Sequence, residues 1–177
     1  MADNPPPTIT SRLRAWLDAE GVAYRYVEHG PTRTSEESAA ARGESLEIGA
    51  KALVLKADET FILVVMSAAR KLRSNALRKH LGASRLRFAT TEELDELTGL
   101  PPGAVPPFGR PILDLPLYID RSVTRNDKAA FNAGSLTASI VMPTEDYLRL
   151  ARGTIVEVTW EKRRGGPART PGSGSVS

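Results

Sequence analysis

The chain has 177 residues, of which 41% are hydrophobic and 25% are charged, as expected for one soluble globular domain with a substantial core. No apolar run approaches the roughly 20 residues of a membrane-spanning helix, and the start of the chain lacks the pattern of a secretory signal. The sequence contains no cysteine and two histidines, which excludes disulfides and thiolate chemistry and disfavours a histidine-based metal site. We therefore expect a cytoplasmic protein without a metal.

The first part of the chain predicts two helices with a strand between them. Hydroxyl side chains that can accept a hydrogen bond from a free backbone N–H indicate helix starts, and glycines indicate helix ends. The predicted elements are a helix that starts at Thr10 or Ser11 and stops at Gly21, a strand over residues 22–27, and a helix over residues 35–42 with a capping box at residues 34–37.

The most apolar stretch, residues 48–66, predicts two short strands joined by a polar turn at residues 57–60. Alternation of side chains places Lys51 on the same strand face as Leu53 and Leu55. A lysine in that position either extends its ammonium to water or directs it into a cleft. The pattern alone favours the first interpretation, whereas a partly desolvated lysine is a recurrent feature of active sites.

Short elements and one proline-rich loop make up the second half of the sequence. The predicted elements are a helix capped by Ser74 and ended by Gly82, a strand over 86–89, a helix from Thr90 or Thr91 to 98, a strand over 111–119, a strand over 136–142, a helix over 143–151 and a strand over 154–160. Residues 121–133 predict no clear element beyond a helical turn. From Glu161 the chain is basic and then rich in Gly, Pro and Ser, which predicts disorder.

The mixture of roughly seven strands and five helices predicts an α/β (α+β) fold, in which a mixed β-sheet is surrounded by short helices. We expect a single compact domain over residues 1–162, followed by a disordered tail over residues 163–177.

The loop over residues 99–109 cannot be helical, because its four prolines remove backbone donors and fix φ. A rigid loop of this kind can hold backbone N–H and C=O groups in fixed directions, and Gly103 and Gly109 would let a ligand approach closely. The alternative is a purely structural connection, which the spacing alone favours slightly.

Basic residues are concentrated in one window of the sequence. Between Glu59 and Glu92 there is no acidic residue, and the seven basic ones are Arg70, Lys71, Arg73, Arg78, Lys79, Arg85 and Arg87. This window predicts either a surface for an anionic partner such as nucleic acid, or a solvated face whose acidic partners come from elsewhere in the fold.

Four segments resemble a known family when they are taken together. AKALVLK at 50–56, LTGLPPGAVPPFG at 97–109, PLYID at 116–120 and FNAG at 131–134 occur in the order and at the separations of the YbaK/ProX-like aminoacyl-tRNA deacylases. These are free-standing relatives of the editing domain of bacterial prolyl-tRNA synthetases, and the resemblance covers residues 22–152. It implies a compact α/β fold, hydrolysis of the ester between a wrong amino acid and tRNA, and no cofactor.

The resemblance also implies site residues and partners. Lys51 corresponds to the family's essential lysine and would stabilise the oxyanion that develops on the ester. The substrate-binding residues that it implies are Gly103, Ala104, Val105, Pro107, Phe108, Gly109, Asn132 and Gly134. The residues expected to hold tRNA phosphates are Arg70, Lys71, Arg73, Arg78 and Lys79. Mischarged tRNA is the implied partner, and an aminoacyl-tRNA synthetase is a further candidate.

Some residues depart from the pattern of the family and bear on specificity. Relatives that clear alanine often carry Asn where this chain has Ala52, which disfavours an alanine-specific enzyme. The stretch RTSEESAAARG at 33–43 is similar to members that remove serine or threonine. Some relatives have Gly-Gly where this chain has Gly103 and Ala104.

Two other classes of function stay open on the sequence alone. An RNA-binding module without catalysis would keep the basic window without needing Lys51, although Phe61, Phe88 and Phe108 form no recognisable stacking cluster. An amino-acid-binding regulatory module would need the pocket but not the basic surface.

Overall fold

The predicted hairpin forms the centre of a five-stranded sheet in the computed structural model, which describes residues 4–162. Strand β2 (Ala50–Ala57) pairs with β3 (Thr60–Ser67) over its whole length, with Lys51 opposite Met66. The alternation of β2 is as predicted. Ala50 and Val54 belong to one core cluster, while Leu55 belongs to a second cluster on the other face, with Leu53 packed against it.

Three sheets organise the described part of the chain. The remaining strands are β1 (Arg25–Glu28), β4 (Arg70–Leu72), β5 (Leu86–Phe88), β6 (Leu117–Asp120), β7 (Lys128–Asn132), β8 (Ala138–Pro143), β9 (Thr154–Val156) and β10 (Thr159–Glu161). The strand orders are β5-β2-β3-β6-β9, β1-β8-β7 and β10-β4. The pairs β3–β6 and β6–β9 are parallel, so the five-stranded sheet is mixed.

Short helices surround these sheets, and threonine hydroxyls cap three of those in the described part of the chain. The helices are α1 (Ile9–Ala19), α2 (Ser35–Arg42), α3 (Ser74–Leu81), α4 (Thr91–Thr98), α5 (Arg121–Thr124) and α6 (Thr144–Ala151), with a 3-10 helix at Leu46–Ile48. The Thr34 hydroxyl accepts from the Glu37 amide, but the Glu37 carboxylate accepts from Arg33, so this capping box is incomplete. The predicted α/β (α+β) fold with a mixed sheet is confirmed.

Several element boundaries differ from the predictions. Helix α1 starts earlier than predicted, because the Thr8 hydroxyl caps it and that of Thr10 instead donates to the Ala133 carbonyl. Helix α3 is capped at Arg73 rather than at Ser74. Two strands, β4 and β7, lie where none was predicted, and the predicted last strand is divided into β9 and β10.

The predicted disorder from Glu161 onward is wrong at its first residue. Glu161 belongs to β10, where it pairs with Arg70 of β4, and the two side chains also form an ion pair at 3.5 Å. The predicted tail over residues 163–177 lies outside the described residues. Within residues 4–162, no helix is long and apolar enough to span a bilayer.

An aromatic cluster anchors the proline-rich loop to the main core. Phe108 is fully buried, and its ring meets those of Trp16, Phe131 and Tyr147 edge-on at 5.3, 5.5 and 5.1 Å. The Tyr147 hydroxyl also donates to the Pro107 carbonyl at 2.7 Å. These contacts hold the second half of the loop against the main core.

Candidate active site

One cleft of about 460 Å³ brings together segments that are distant in the sequence. The start of β2, the first turns of α2, the front half of the proline-rich loop and β7 form its walls. A single parallel bridge between Gly49 and Ala130 joins the five-stranded sheet to the three-stranded sheet at this cleft, and both residues line it.

Lys51 lines the cleft, so the cleft-directed interpretation of this residue agrees with its position. The residue as a whole is exposed to solvent, yet desolvation of its ammonium by the surrounding groups lowers its pKa from 10.5. The positive charge of Lys162 lowers the pKa further, while Glu36 acts in the opposite direction. Within residues 4–162, the Lys51 ammonium has no salt-bridge partner.

The front half of the proline-rich loop forms the wall opposite α2. Gly103 has φ of +88°, a conformation that L side chains rarely adopt, and its carbonyl accepts a hydrogen bond of 2.6 Å from the Asn132 side chain. Gly103, Val105 and Asn132 all line the cleft. In the described part of the chain, the amides of Gly103 and Val105 donate to no protein acceptor, which leaves two backbone donors in this wall.

A buried arginine holds Asn132 in place. Arg42, the last residue of α2, donates to the Asn132 side-chain oxygen at 3.0 Å and to the Ser139 hydroxyl at 2.9 Å. His29 also contacts the Ser139 hydroxyl, at 2.8 Å. Burial lowers the pKa of Arg42 to about 10, and the nearby Glu44 carboxylate opposes this shift. The chain of contacts from Arg42 through Asn132 to Gly103 therefore ties α2 to the loop across the cleft.

Five of the predicted substrate-binding residues do not line the cleft. Ala104 and Phe108 are fully buried, and Pro107 is held by Tyr147. A side chain at Gly109 would meet the Leu115 carbonyl at 2.8 Å, so that glycine lets the loop pack closely against the segment that follows it.

Gly134, the fifth of these residues, packs against the start of α1. Its φ is +77°, and a side chain there would meet Ile9 at 2.9 Å and the Thr10 amide at 3.2 Å. The glycine therefore lets α1 approach the β7–β8 connection closely. The sequence did not separate Gly134 from Gly103, because the contact of Gly134 with α1 joins segments that are distant in the sequence.

Residues 29–150 match the aminoacyl-tRNA editing domain family. The chain belongs to this family. It is 39% identical over 153 residues to the multifunctional Ser/Thr-tRNA deacylase ProXp-y of Escherichia coli K12, with 82% of this chain and 89% of that protein covered. It is 26% identical to the prolyl-tRNA editing protein ProX of Acetoanaerobium sticklandii, with 78% and 87% covered.

A solved structure gives the same result for the fold. A candidate trans-editing enzyme for prolyl-tRNA synthetase superposes with a TM-score of 0.76 at 27% identity, and the match covers 87% of this chain and 98% of that one. The prediction from the sequence, an aminoacyl-tRNA editing hydrolase of this family, is confirmed.

The editing-domain cleft also contains charged residues that the sequence analysis did not identify. They are Arg33, Glu36, Arg42 and Lys162. The first three belong to the RTSEESAAARG stretch, whose likeness to serine- and threonine-removing members was the available signal. Lys162 had no such signal, because it lies in the segment from Glu161 onward that was predicted to be disordered.

The basic residues of the predicted tRNA surface differ in their contacts and exposure. Arg70 is tied to Glu161 and donates to the Thr159 hydroxyl at 3.1 Å. The Arg78 guanidinium donates to the Ala83 carbonyl at 3.2 Å. Lys71, Arg73 and Lys79 are exposed. The solvated-face interpretation therefore fits Arg70, and the exposed residues stay candidates for contact with tRNA.

Gly103→Ala is expected to reduce editing activity at least tenfold and the free energy of unfolding by about 1–3 kcal/mol, because an L residue at this φ is strained. A shift of the loop would misplace the groups of the cleft wall, which affects the rate strongly. Gly82→Ala is the matched control. Its φ is +63°, a side chain there would meet no atom within 4 Å, and it does not line the cleft.

The control should therefore lose similar stability and keep its activity. Deacylation rates and urea unfolding of both variants measure the difference. If the two alanine variants were equally active, the loop would be only a structural connection without a role in the reaction.

Proposed function

We propose that this chain hydrolyses the ester bond of tRNA mischarged with serine or threonine, with Lys51 as the catalytic residue. One observation carries the proposal: Lys51 and the Gly103–Val105 wall, which are distant in the sequence, line the same cleft. The resemblance between residues 33–43 and members that remove serine or threonine supports the choice of substrate, as does the similarity to the Ser/Thr-tRNA deacylase.

The charges of the cleft suit the end of a tRNA. Among residues 4–162, four basic side chains and one acidic side chain, that of Glu36, line it; the basic ones are those of Arg33, Arg42, Lys51 and Lys162. Arg42 is occupied by Asn132 and Ser139, and Lys162 donates to the Ala68 carbonyl, which leaves the side chains of Arg33 and Lys51 for the substrate. An excess of positive charge favours the phosphate that precedes a terminal nucleotide.

Hydrolysis of the aminoacyl ester needs a bound water and stabilisation of negative charge on the carbonyl oxygen. Water adds to the carbonyl carbon and loses a proton, and the tetrahedral intermediate then expels the ribose oxygen, which takes up the proton that the water lost. The Lys51 ammonium would donate to the developing oxyanion, and the free amides of Gly103 and Val105 would orient the water and the amino acid. An ester is already activated, so these few groups suffice without a nucleophilic side chain.

The first turn of α2 provides a way to select the amino acid. The Glu36 carboxylate lines the cleft and can pair with the α-ammonium group of the substrate. Ser35 also lines the cleft, and within residues 4–162 its hydroxyl makes no hydrogen bond, so it is available to a hydroxyl of serine or threonine. A pocket that hydrogen-bonds a substrate hydroxyl rejects analogues lacking it far better than an apolar pocket distinguishes one methylene.

A panel of tRNAs charged with Ser, Thr, Ala and Cys tests the proposal. We expect fast release of serine and threonine, slower release of alanine and cysteine, and rates about 10²–10³-fold below those of the parent with the Lys51→Ala variant. Spontaneous rates for every ester with the parent protein would contradict the proposal. Retained tRNA binding in that case would favour the non-catalytic RNA-binding module. An aminoacyl-tRNA synthetase remains a candidate partner, and adding one to the panel would measure its effect on the rate.

A further inference from the structure

Next to the cleft, an exposed tryptophan lies among basic side chains. Trp160 of β10 is 49% exposed, although it is one of the largest apolar side chains of the protein. It is directly opposite Lys71 in the β4–β10 pair, and the Arg73 guanidinium lies 5.9 Å from the centre of its ring. Cross-strand partners project from the same face of a sheet, so Lys71 and Trp160 share one surface.

The opposite face of this two-stranded sheet packs inward. Leu72 is partly buried and packs against the second core cluster, and its cross-strand partner is Thr159. The face that carries Trp160 is therefore directed to solvent, and its exposure is a consequence of the register rather than of a loose chain end.

Trp160 is also close to the cleft. Lys162 follows it by two residues, which is about 7 Å along an extended chain. The Lys162 ammonium donates to the Ala68 carbonyl at 3.0 Å, and both residues line the cleft. Trp160 therefore lies two residues from a side chain that lines the cleft.

We propose that Trp160 is a stacking platform for an unpaired base at the 3′ end of the tRNA, with Lys71 and Arg73 holding the flanking phosphates. Aromatic side chains bind single-stranded bases by stacking, and basic neighbours supply the attraction to the backbone. This inference rests on the proposed function, because it names the part of the tRNA that lies next to the ester. Trp160 thus provides the exposed aromatic ring that Phe61, Phe88 and Phe108 do not provide as a cluster.

Trp160→Leu and Trp160→Phe test the platform, since leucine keeps apolar bulk without a ring. The first measurement is the affinity for uncharged tRNA and for a short single-stranded RNA with the same 3′ end. We expect Trp160→Leu to weaken both about 5- to 100-fold and Trp160→Phe to retain most of the affinity. Because stacking releases no counterions, the salt dependence of binding should keep its slope in Trp160→Leu. Replacement of Lys71 by Gln should reduce the magnitude of this slope, of log affinity against log salt concentration, by about 0.7–0.9.

Phe88→Ala is the matched control, because Phe88 is 57% exposed and does not line the cleft. Its affinity for RNA should equal that of the parent. A second measurement compares ester hydrolysis on charged tRNA with hydrolysis of the same amino acid esterified to adenosine alone. Trp160→Leu should raise KM for the tRNA and leave the rate on the adenosine ester unchanged.

Failure of this inference is distinguishable from failure of the proposed function. Equal RNA affinities of the parent and Trp160→Leu would overturn the platform, as would an equal loss of affinity in Phe88→Ala. If instead the parent hydrolyses neither ester but Trp160→Leu loses RNA affinity, the platform stands and the proposed function is wrong.

Discussion

Replacement of Lys51 by alanine is expected to slow deacylation about 10²–10³-fold, with a much smaller change in tRNA affinity. The proposed contact of Lys51 strengthens as negative charge develops on the ester carbonyl, so its loss affects the transition state more than the bound substrate. Lys51 has no salt-bridge partner within residues 4–162, so its charge is free for the substrate. Single-turnover rates and binding measurements with uncharged tRNA separate the two effects.

Two further substitutions sharpen this prediction. Lys51→Arg keeps the charge but widens and lengthens the head group, so it should not restore activity if the position of the ammonium matters. Lys56→Ala removes another lysine of β2, one that pairs with Glu59 at 3.7 Å and does not line the cleft, and it should keep the parental rate. A parental rate for Lys51→Ala would mean that Lys51 is an ordinary strand lysine that extends to water.

Lys51→Ala should not destabilise the protein at neutral pH. Desolvation and the nearby Lys162 lower the pKa of Lys51 in the folded state, so its charged form opposes folding. This unfavourable contribution is complete below the lowered pKa and diminishes as the pH rises towards 10.5. Urea unfolding should therefore give Lys51→Ala an equal or higher stability than the parent at pH 7, and any advantage should shrink in alkaline solution. A clear loss of stability at pH 7 would contradict this account of its environment.

Local patterns were sufficient to predict the central hairpin and most helix boundaries. The apolar runs on either side of residues 57–60 leave few alternatives to a hairpin, and the alternation within them placed Lys51 correctly. Thr34 and Thr90 act as caps because a hydroxyl before a helix satisfies a free amide, which needs no knowledge of the rest of the fold.

The features that the sequence did not predict depend on contacts between distant segments. Strand β4 has the sequence Arg70–Leu72, with two cations in three residues, and it is extended because β10 pairs with it. Arg42 lies at the end of a helix, where a solvated charge is normal. It is buried because its guanidinium binds Asn132 and Ser139 of the three-stranded sheet. No spacing rule within the sequence reports such contacts.

The proline-rich loop illustrates the same limit. Its prolines correctly exclude a helix, but they do not reveal which half of the loop is exposed. The packing of Phe108 against three aromatic rings decides this, because it buries the second half of the loop and leaves Gly103 at the cleft.

Replacement of Asp120 by alanine is expected to reduce the free energy of unfolding by about 3–5 kcal/mol, since two buried amides would lose their acceptor. Asp120 ends β6 and is 2% exposed. Its carboxylate accepts from the Val158 amide at 2.7 Å, the Ser122 amide at 2.9 Å and the Thr159 hydroxyl at 2.9 Å. One side chain thus connects β6, the start of α5 and the segment that leads into β10.

The ionisation of Asp120 also makes this stability depend on pH. Burial alone would raise the pKa of the carboxyl group, but the hydrogen bonds from Ser122, Val158 and Thr159 outweigh it and hold the pKa below 3.8. The carboxylate therefore contributes its stability above the pKa of the unfolded chain, about 3.9, and loses it as the pH falls through the lower folded pKa. Asp120→Asn retains one acceptor but turns an N–H₂ group towards the donors, so we expect about half of the loss seen with alanine.

Urea unfolding at several pH values tests both parts of this prediction. The difference in the free energy of unfolding between the parent and Asp120→Asn should be constant from neutral pH to about pH 5. It should shrink below pH 4, because only the parent becomes protonated at this position. Asp114, which is exposed and pairs with Arg110 four residues away, provides the control, and Asp114→Asn should change stability by less than about 1 kcal/mol. If Asp120→Ala unfolded at the parental urea concentration, the amides of Ser122 and Val158 would have to find other partners, and the carboxylate would not hold this corner of the fold together.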